Sequence, residues 1–213
     1  MPRFRSVIFD ADSTLAGIEG VDWLARARGG DVAHDVAALT RRAMDGEIPL
    51  EDVYALRLER IAPTRAELDA LGDAYVEAAA PGARAALAAL RTAGIALYVV
   101  SGGIRQALLP LARHLGVDED RVHAVPLRLD IEGGYLGMEP SPLARSGGKA
   151  TVVAGLELAR PALAVGDGVT DLEMRPRVDA FVAFTGFVRR APVVAGADHE
   201  TRDLPSLADW ILG

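Results

Sequence analysis

Val7-Ile8-Phe9-Asp10-Ala11-Asp12-Ser13-Thr14 is the stretch from which the rest of the chain is read. Its first three residues are apolar, β-branched or aromatic, and describe the end of a buried strand. Asp10 follows at once, then Asp12 and Thr14. Ionised carboxylates are costly to bury without partners. Two of them at the mouth of a core strand repel each other, and a hard divalent cation with oxygen ligands relieves that repulsion. Strand ends of α/β sheets are also where ligands bind. The plain alternative is a turn in which Asp12 and Ser13 cap a following helix.

Working outward, residues 5–9 read as the first strand. From Gly17 to Ala80 the pattern is helical, with helices expected over Val21–Arg28, Val32–Met44, Leu50–Ile61 and Ala66–Ala79. Thr64 and Glu67 have the spacing of a capping box. Strands and helices then alternate: a helix after Pro81-Gly82, a strand Ile95–Val100 ended by Ser101-Gly102-Gly103, and a helix carrying Ile104, Ala107, Leu108, Leu111 and Leu115. A hairpin spans Leu127–Met138. Ser146-Gly147-Gly148-Lys149 opens a helix to about Ala159, Ala162–Val165 is a third core strand, and Phe181–Phe184 a fourth. Helices are expected at Val188–Ala195 and Leu207–Leu212. Such alternation means βαβ units. The expected fold is α/β, a Rossmann-like parallel sheet with helices on both faces and an inserted small helical cap. The division is residues 1–16 and 81–213 as the core and 17–80 as the cap, with hinges near Thr14–Gly20 and Ala79–Gly82.

Composition narrows the function. The formal net charge is -7 over 213 residues. That disfavours nucleic acid and anionic membranes as partners, because their binding is dominated by phosphate neutralisation. No apolar run approaches the ~18 residues of a membrane span. Cysteine is absent, so thiolate chemistry is closed. After Arg3 and Arg5 the apolar run Val7–Phe9 is too short for a signal-peptide core, so the expected location is the cytoplasm. Of 23 basic residues, 22 are Arg and only Lys149 is Lys. Lys is a compact point charge where Arg is a planar fork. A lone Lys in an Arg-rich chain marks a position suited to that shape, or survives by chance.

In a parallel sheet the ends of the first three core strands share one edge. Asp10, Asp12, Asp167 and Asp171, the Ser101 hydroxyl with bare backbone N–H groups, and the Lys149 ammonium therefore gather at one crevice. Acids alone would suggest a metal; the anion-holding donors beside them add a negatively charged ligand. A cation between carboxylates and a phosphoryl group reconciles the two. Taken singly, Ser101-Gly102-Gly103 is only a turn, Gly147-Gly148-Lys149 lacks the Ser or Thr of a P-loop at Ala150, and Gly166-Asp167-Gly168 lacks a third glycine.

Together, Phe9–Thr14, Ser101–Gly103, Ser146–Lys149 and Gly166-Asp167-Gly168-Val169-Thr170-Asp171 resemble the four signature motifs of haloacid dehalogenase-superfamily phosphatases. Within that superfamily the chain is most similar to the phosphoserine phosphatase subfamily. The similarity runs from Val7 to Ala197 and includes Glu19-Gly20-Val21-Asp22 and Thr40-Arg41-Arg42-Ala43-Met44. The resemblance implies Mg2+-dependent hydrolysis of a phosphomonoester, O-phosphoserine foremost, with Asp10 as nucleophile and Asp12 as general acid/base. It implies Asp10, Asp167 and the Asp12 carbonyl as metal ligands, and Asp171 orienting water in the metal's outer shell. Ser101, Gly102 and Lys149 would hold phosphate, Arg57 the substrate carboxylate and Glu19 its ammonium, with Met44 and Thr170 beside it. Thr14 orders the turn.

Arg57 also stands out without the resemblance. It falls on the apolar face of its helix with Val53, Tyr54 and Ile61, where a charge needs an acid such as Asp52 or Glu59 or must snorkel out. Two departures from the subfamily, Asp45 for a small residue and Leu50 for Phe, bear on substrate choice. The implied partner is a small phosphorylated amino acid, in a monomer or homodimer. The rival readings are a phosphatase or phosphotransferase for another small phosphorylated metabolite, a receiver-like signalling domain, and an inactive binding module. The four His residues have no metal spacing and are expected at the surface or at helix ends.

Overall fold

The computed structural model describes residues 1–44 and 50–213, with side chains described outside 40–51. Asp45 lies outside the described residues, and so do the side chains of Met44 and Leu50. β1 (Ser6–Phe9) is buried along its whole length and lies inside the sheet. Its neighbours are β2 (Ala96–Ile104) and β6 (Ala162–Gly166), both parallel to it. With β3 (Val122–Val125), β7 (Ala180–Phe184) and β8 (His199–Thr201) the sheet runs β3-β2-β1-β6-β7-β8, every pairing parallel. A separate antiparallel ribbon joins β4 (Leu127–Leu129) to β5 (Tyr135–Met138).

Strand alternation divides the core. Val7 and Phe9 face one cluster and Ile8 the other; Leu163 and Val165 oppose Ala162 and Ala164; Val182 and Phe184 oppose Phe181 and Ala183. The larger cluster takes the apolar faces of α5 (Ala83–Thr92), α6 (Arg105–Leu115) and α10 (Leu204–Leu212). The smaller takes Val153 from α7 (Gly148–Ala154), Met174 just beyond α8 (Val169–Leu172), and Val193 from α9 (Ala191–Gly196).

Between β1 and α5 lie α1 (Gly20–Arg28), α2 (Gly30–Met44), α3 (Leu50–Ile61) and α4 (Arg65–Glu77). Thr64 and Glu67 form the expected capping box at the start of α4. The chain leaves and re-enters this helical stretch through two adjacent segments. Gly17 N–H donates to Ala78 O at 2.9 Å and Ala80 N–H to Leu15 O at 2.8 Å. α4 packs on α6 so closely that a Cβ at Gly72 would lie 2.8 Å from Pro110 Cγ.

Several expectations need correction. Ser101–Gly103 does not end the second strand: β2 continues to Ile104, with a register shift against β3 after Val100. Glycine tolerates the irregular backbone such a shift requires. α7 stops at Ala154 rather than near Ala159, with Gly155 as its C-cap. β3 and β8, the two edge strands, are not among the strands expected from the sequence, and they place the half-buried His123 and His199 on strands rather than at helix ends. His199 stacks on Trp210 with ring centroids 4.6 Å apart.

Candidate active site

β1 has β2 on one side and β6 on the other, so the strand order reverses there and the crevice opens beyond its carboxyl end. Phe9 is in register with Val99 and Val165, and Asp10 N–H donates to Val165 O at 2.9 Å. The next residues along β6 are Gly166 and Asp167, so Asp10 and Asp167 emerge side by side. Thr14, fully buried, donates its hydroxyl to Asp167 Oδ1 at 3.3 Å, which ties the turn after β1 to the end of β6.

Lys149 comes from the other direction, at the start of α7. Gly147 has φ +75°, and a Cβ on Gly148 would lie 1.9 Å from Pro142 O, so the helix start is pressed against the preceding turn. That approach sends the Lys149 ammonium to Asp10 Oδ1 at 2.6 Å and Asp171 Oδ1 at 2.5 Å. Burial pulls the ammonium down, yet the charges of Asp10 and Asp171 outweigh it and hold it above its ordinary value. Asp171 is also anchored by the Gly168 N–H, which donates to Oδ2 at 2.8 Å. Burial first, and the charge of Asp10 second, raise its carboxyl above the ordinary carboxylate range.

Carboxylate oxygens of Asp10, Asp167 and Asp171 lie within 4.8 Å of one another, and all three residues are buried. Lys149 serves two of them, and Arg190 ion-pairs with Asp167. Two cations against three carboxylates, with Asp12 nearby, leave negative charge uncompensated. An all-oxygen set of this kind fits a hard divalent cation.

Asp12 turns away from that cluster. Its Oδ1 accepts from the Tyr75 hydroxyl at 2.5 Å and its Oδ2 from the Gly20 N–H at 3.4 Å. Burial and the charge of Asp10 raise its carboxyl to about 7. Ser101 is buried, and its Oγ accepts from the Gly103 N–H at 3.0 Å.

Asp10, Asp12, Glu19, Arg57, Ser101, Gly102, Lys149, Asp167, Thr170 and Asp171 all line one cleft of about 420 Å³. The volume suits a small ligand. Glu19 accepts from the Ser13 hydroxyl at 2.7 Å. Arg57 ion-pairs with Asp22 of α1, rather than with Asp52 or Glu59. Met44, named with these residues from the sequence, has no described side chain. Asp22, Tyr75 and Arg190 were not singled out as site residues. Each acts through a partner far away in sequence, and neither spacing nor periodicity signals such a pair.

The architecture and the acid cluster define a doubly wound α/β protein with a strand-end aspartate at a candidate metal centre. A family model described as haloacid dehalogenase-like hydrolase matches residues 7–175. The chain belongs to the haloacid dehalogenase-like hydrolases. It is 37% identical over 200 residues to the chloroplastic phosphoserine phosphatase of Arabidopsis thaliana, covering 91% of this chain and 67% of that protein. It is 34% identical over 206 residues to phosphoserine phosphatase of Rattus norvegicus, covering 95% and 91%. Among solved structures, a phospho-aspartyl intermediate analogue of phosphoserine phosphatase superposes with a TM-score of 0.77 at 25% identity, covering 97% of this chain and 98% of that one.

Proposed function

We propose that the chain hydrolyses O-phosphoserine to serine and phosphate through an aspartyl-phosphate on Asp10. The observation that carries this reading is the Lys149 ammonium shared between Asp10 and Asp171 at the sheet's carboxyl edge, beside Asp167. A buried nucleophilic carboxylate next to a fixed cation suits attack on a phosphoryl group, whose transfer depends on positioning and charge stabilisation.

In the first step an Asp10 oxygen bonds to phosphorus as the serine oxygen leaves, and Asp12 gives that oxygen its proton. In the second, water bonds to phosphorus as the Asp10 bond breaks, and Asp12 takes the water's proton. A carboxyl raised to about 7 suits both duties near neutral pH. Lys149 and Ser101 would hold phosphoryl oxygens, Arg57 the substrate carboxylate and Glu19 its ammonium. Mg2+, held by Asp10, Asp167 and the Asp12 carbonyl with Asp171 alongside, would neutralise the charge of the carboxylates and phosphate.

The net charge of -7 supports a small metabolite over nucleic acid as substrate, and a chain without cysteine needs no oxidising compartment to fold, which agrees with the expected cytoplasmic location. Among the described residues no helix is long and apolar enough to cross a membrane. The test is phosphate release from L- and D-phosphoserine and other monoesters, with and without Mg2+. Asp10→Asn should abolish release while leaving the thermal midpoint within a few degrees of the parent; retained turnover removes Asp10 as nucleophile. Faster release from another monoester overturns the substrate but keeps the chemistry.

A further inference from the structure

Behind the cleft, and not lining it, sits Tyr75 on α4, with no exposed surface. A phenol buried in an apolar core needs a hydrogen-bond partner. Tyr75 finds one 63 residues back along the chain, donating to Asp12 Oδ1 at 2.5 Å. The surroundings are shaped for that reach. A Cβ on Gly20 would lie 2.2 Å from the Tyr75 hydroxyl oxygen, so only glycine leaves the hydroxyl its place. The same Gly20 offers its N–H to the other Asp12 oxygen at 3.4 Å. α4 is itself held against α6 by the close approach of Gly72 to Pro110, so the phenol is delivered from a fixed helix.

We infer that Tyr75 is a positioning residue for Asp12: it pins Oδ1 from the protein side and leaves Oδ2 to carry the proton exchanged in the cleft. The inference rests on the reading of Asp12 as the general acid/base. Tyr75 keeps its own proton throughout. Asp12 Oδ2 gives a proton to the leaving alkoxide as the bond from Asp10 to phosphorus forms, and recovers one from the water that breaks it. An unpinned carboxyl would rotate among orientations of which few face the leaving group, and positioning of this kind carries a large share of a barrier.

The test is kcat/KM, which reports the steps through the first phosphoryl transfer, measured with phosphoserine, a simple alkyl phosphate and p-nitrophenyl phosphate. Both alkyl esters need a proton on the leaving oxygen; nitrophenolate leaves without one. Tyr75→Phe should lower kcat/KM for both alkyl esters about 10-fold to 100-fold, the scale of a hydrogen bond to a charged group, and leave the aryl ester within about 2-fold. Gly20→Ala, which displaces the hydroxyl without deleting it, should give the same pattern, and the double variant should be no worse than Tyr75→Phe alone. Equal losses on all three esters, loss on phosphoserine alone, or no loss would each overturn the inference. Asp12→Asn measured alongside separates the two layers: if it turns over alkyl esters at the parent rate, the acid/base reading itself fails.

Discussion

Arg57 shows what one side chain carries. Its apolar helix face singled it out, and it does enter the cleft, 19% exposed, with its Nε buried and unpartnered among the described residues. Its acid partner is Asp22, one helix away in space and 35 residues away in sequence. The need for a counter-charge was legible; its identity was not, because no local pattern encodes a contact between helices. Arg57→Ala should raise KM for phosphoserine about 10-fold to 100-fold, as for a lost charge-assisted hydrogen bond, and leave KM for an aryl phosphate within about 2-fold. Comparable rises for both substrates would mean that Arg57 holds the cleft together rather than reading the carboxylate. Tyr75 and Arg190 illustrate the same blindness: a buried Tyr in a helical pattern looks like core, and one Arg among 22 carries no signal.

At the scale of elements, α7 shows how a helix start becomes a catalytic device. Gly148 is in contact with the Pro142 carbonyl, so Gly148→Ala must move either the turn or the helix, and Lys149 moves with it. The expected result is a loss of about 1–3 kcal/mol in stability, typical of overpacking, with at least a tenfold fall in kcat. Denaturant unfolding and phosphate release measure the two. A variant with parental kcat would show that the ammonium's placement does not depend on this contact. β1, β2, β6 and β7 were readable because strands buried on both faces are short apolar runs bounded by glycine or acids. The two strands that escaped, β3 and β8, are the edges of the sheet. Val122-His123-Ala124-Val125 is interrupted by a His and His199-Glu200-Thr201 is polar, so neither shows the unbroken apolar run of the central strands. Glycine usually punctuates, so the sequence alone makes Ser101–Gly103 a strand stop. Here it lets the strand continue through an irregular pairing and places a hydroxyl at the crevice.

For the molecule as a whole, the acid cluster sets how stability responds to pH and metal. Asp12 is raised from 3.8 to about 7 and Asp171 is raised in the same sense, so the metal-free fold holds protons over a range where the unfolded chain has lost them. Stability therefore falls as pH rises from about 4 to about 7 and levels off above. Asp179, Asp198, Asp203 and Glu200 are lowered by backbone and Arg or Ser donors, and act in the opposite sense at the acid end, where their contribution is lost as pH falls through their folded values. In chelator, the thermal midpoint should be higher at pH 5 than at pH 8. Mg2+ should restore more at pH 8, by about 2.7 kcal/mol at a hundredfold excess over its dissociation constant. Chelator should also abolish phosphate release reversibly. A midpoint insensitive to Mg2+ at pH 8 would count against a metal at Asp10, Asp167 and Asp171. The solitary lysine has a practical corollary for bioconjugation. Its side chain is 8% exposed and clasped by two acids, so an amine-directed dye should mark the folded chain at its amino terminus and nowhere else. A second dye per molecule would then report that the chain has come apart, which makes labelling stoichiometry a direct gauge of unfolding.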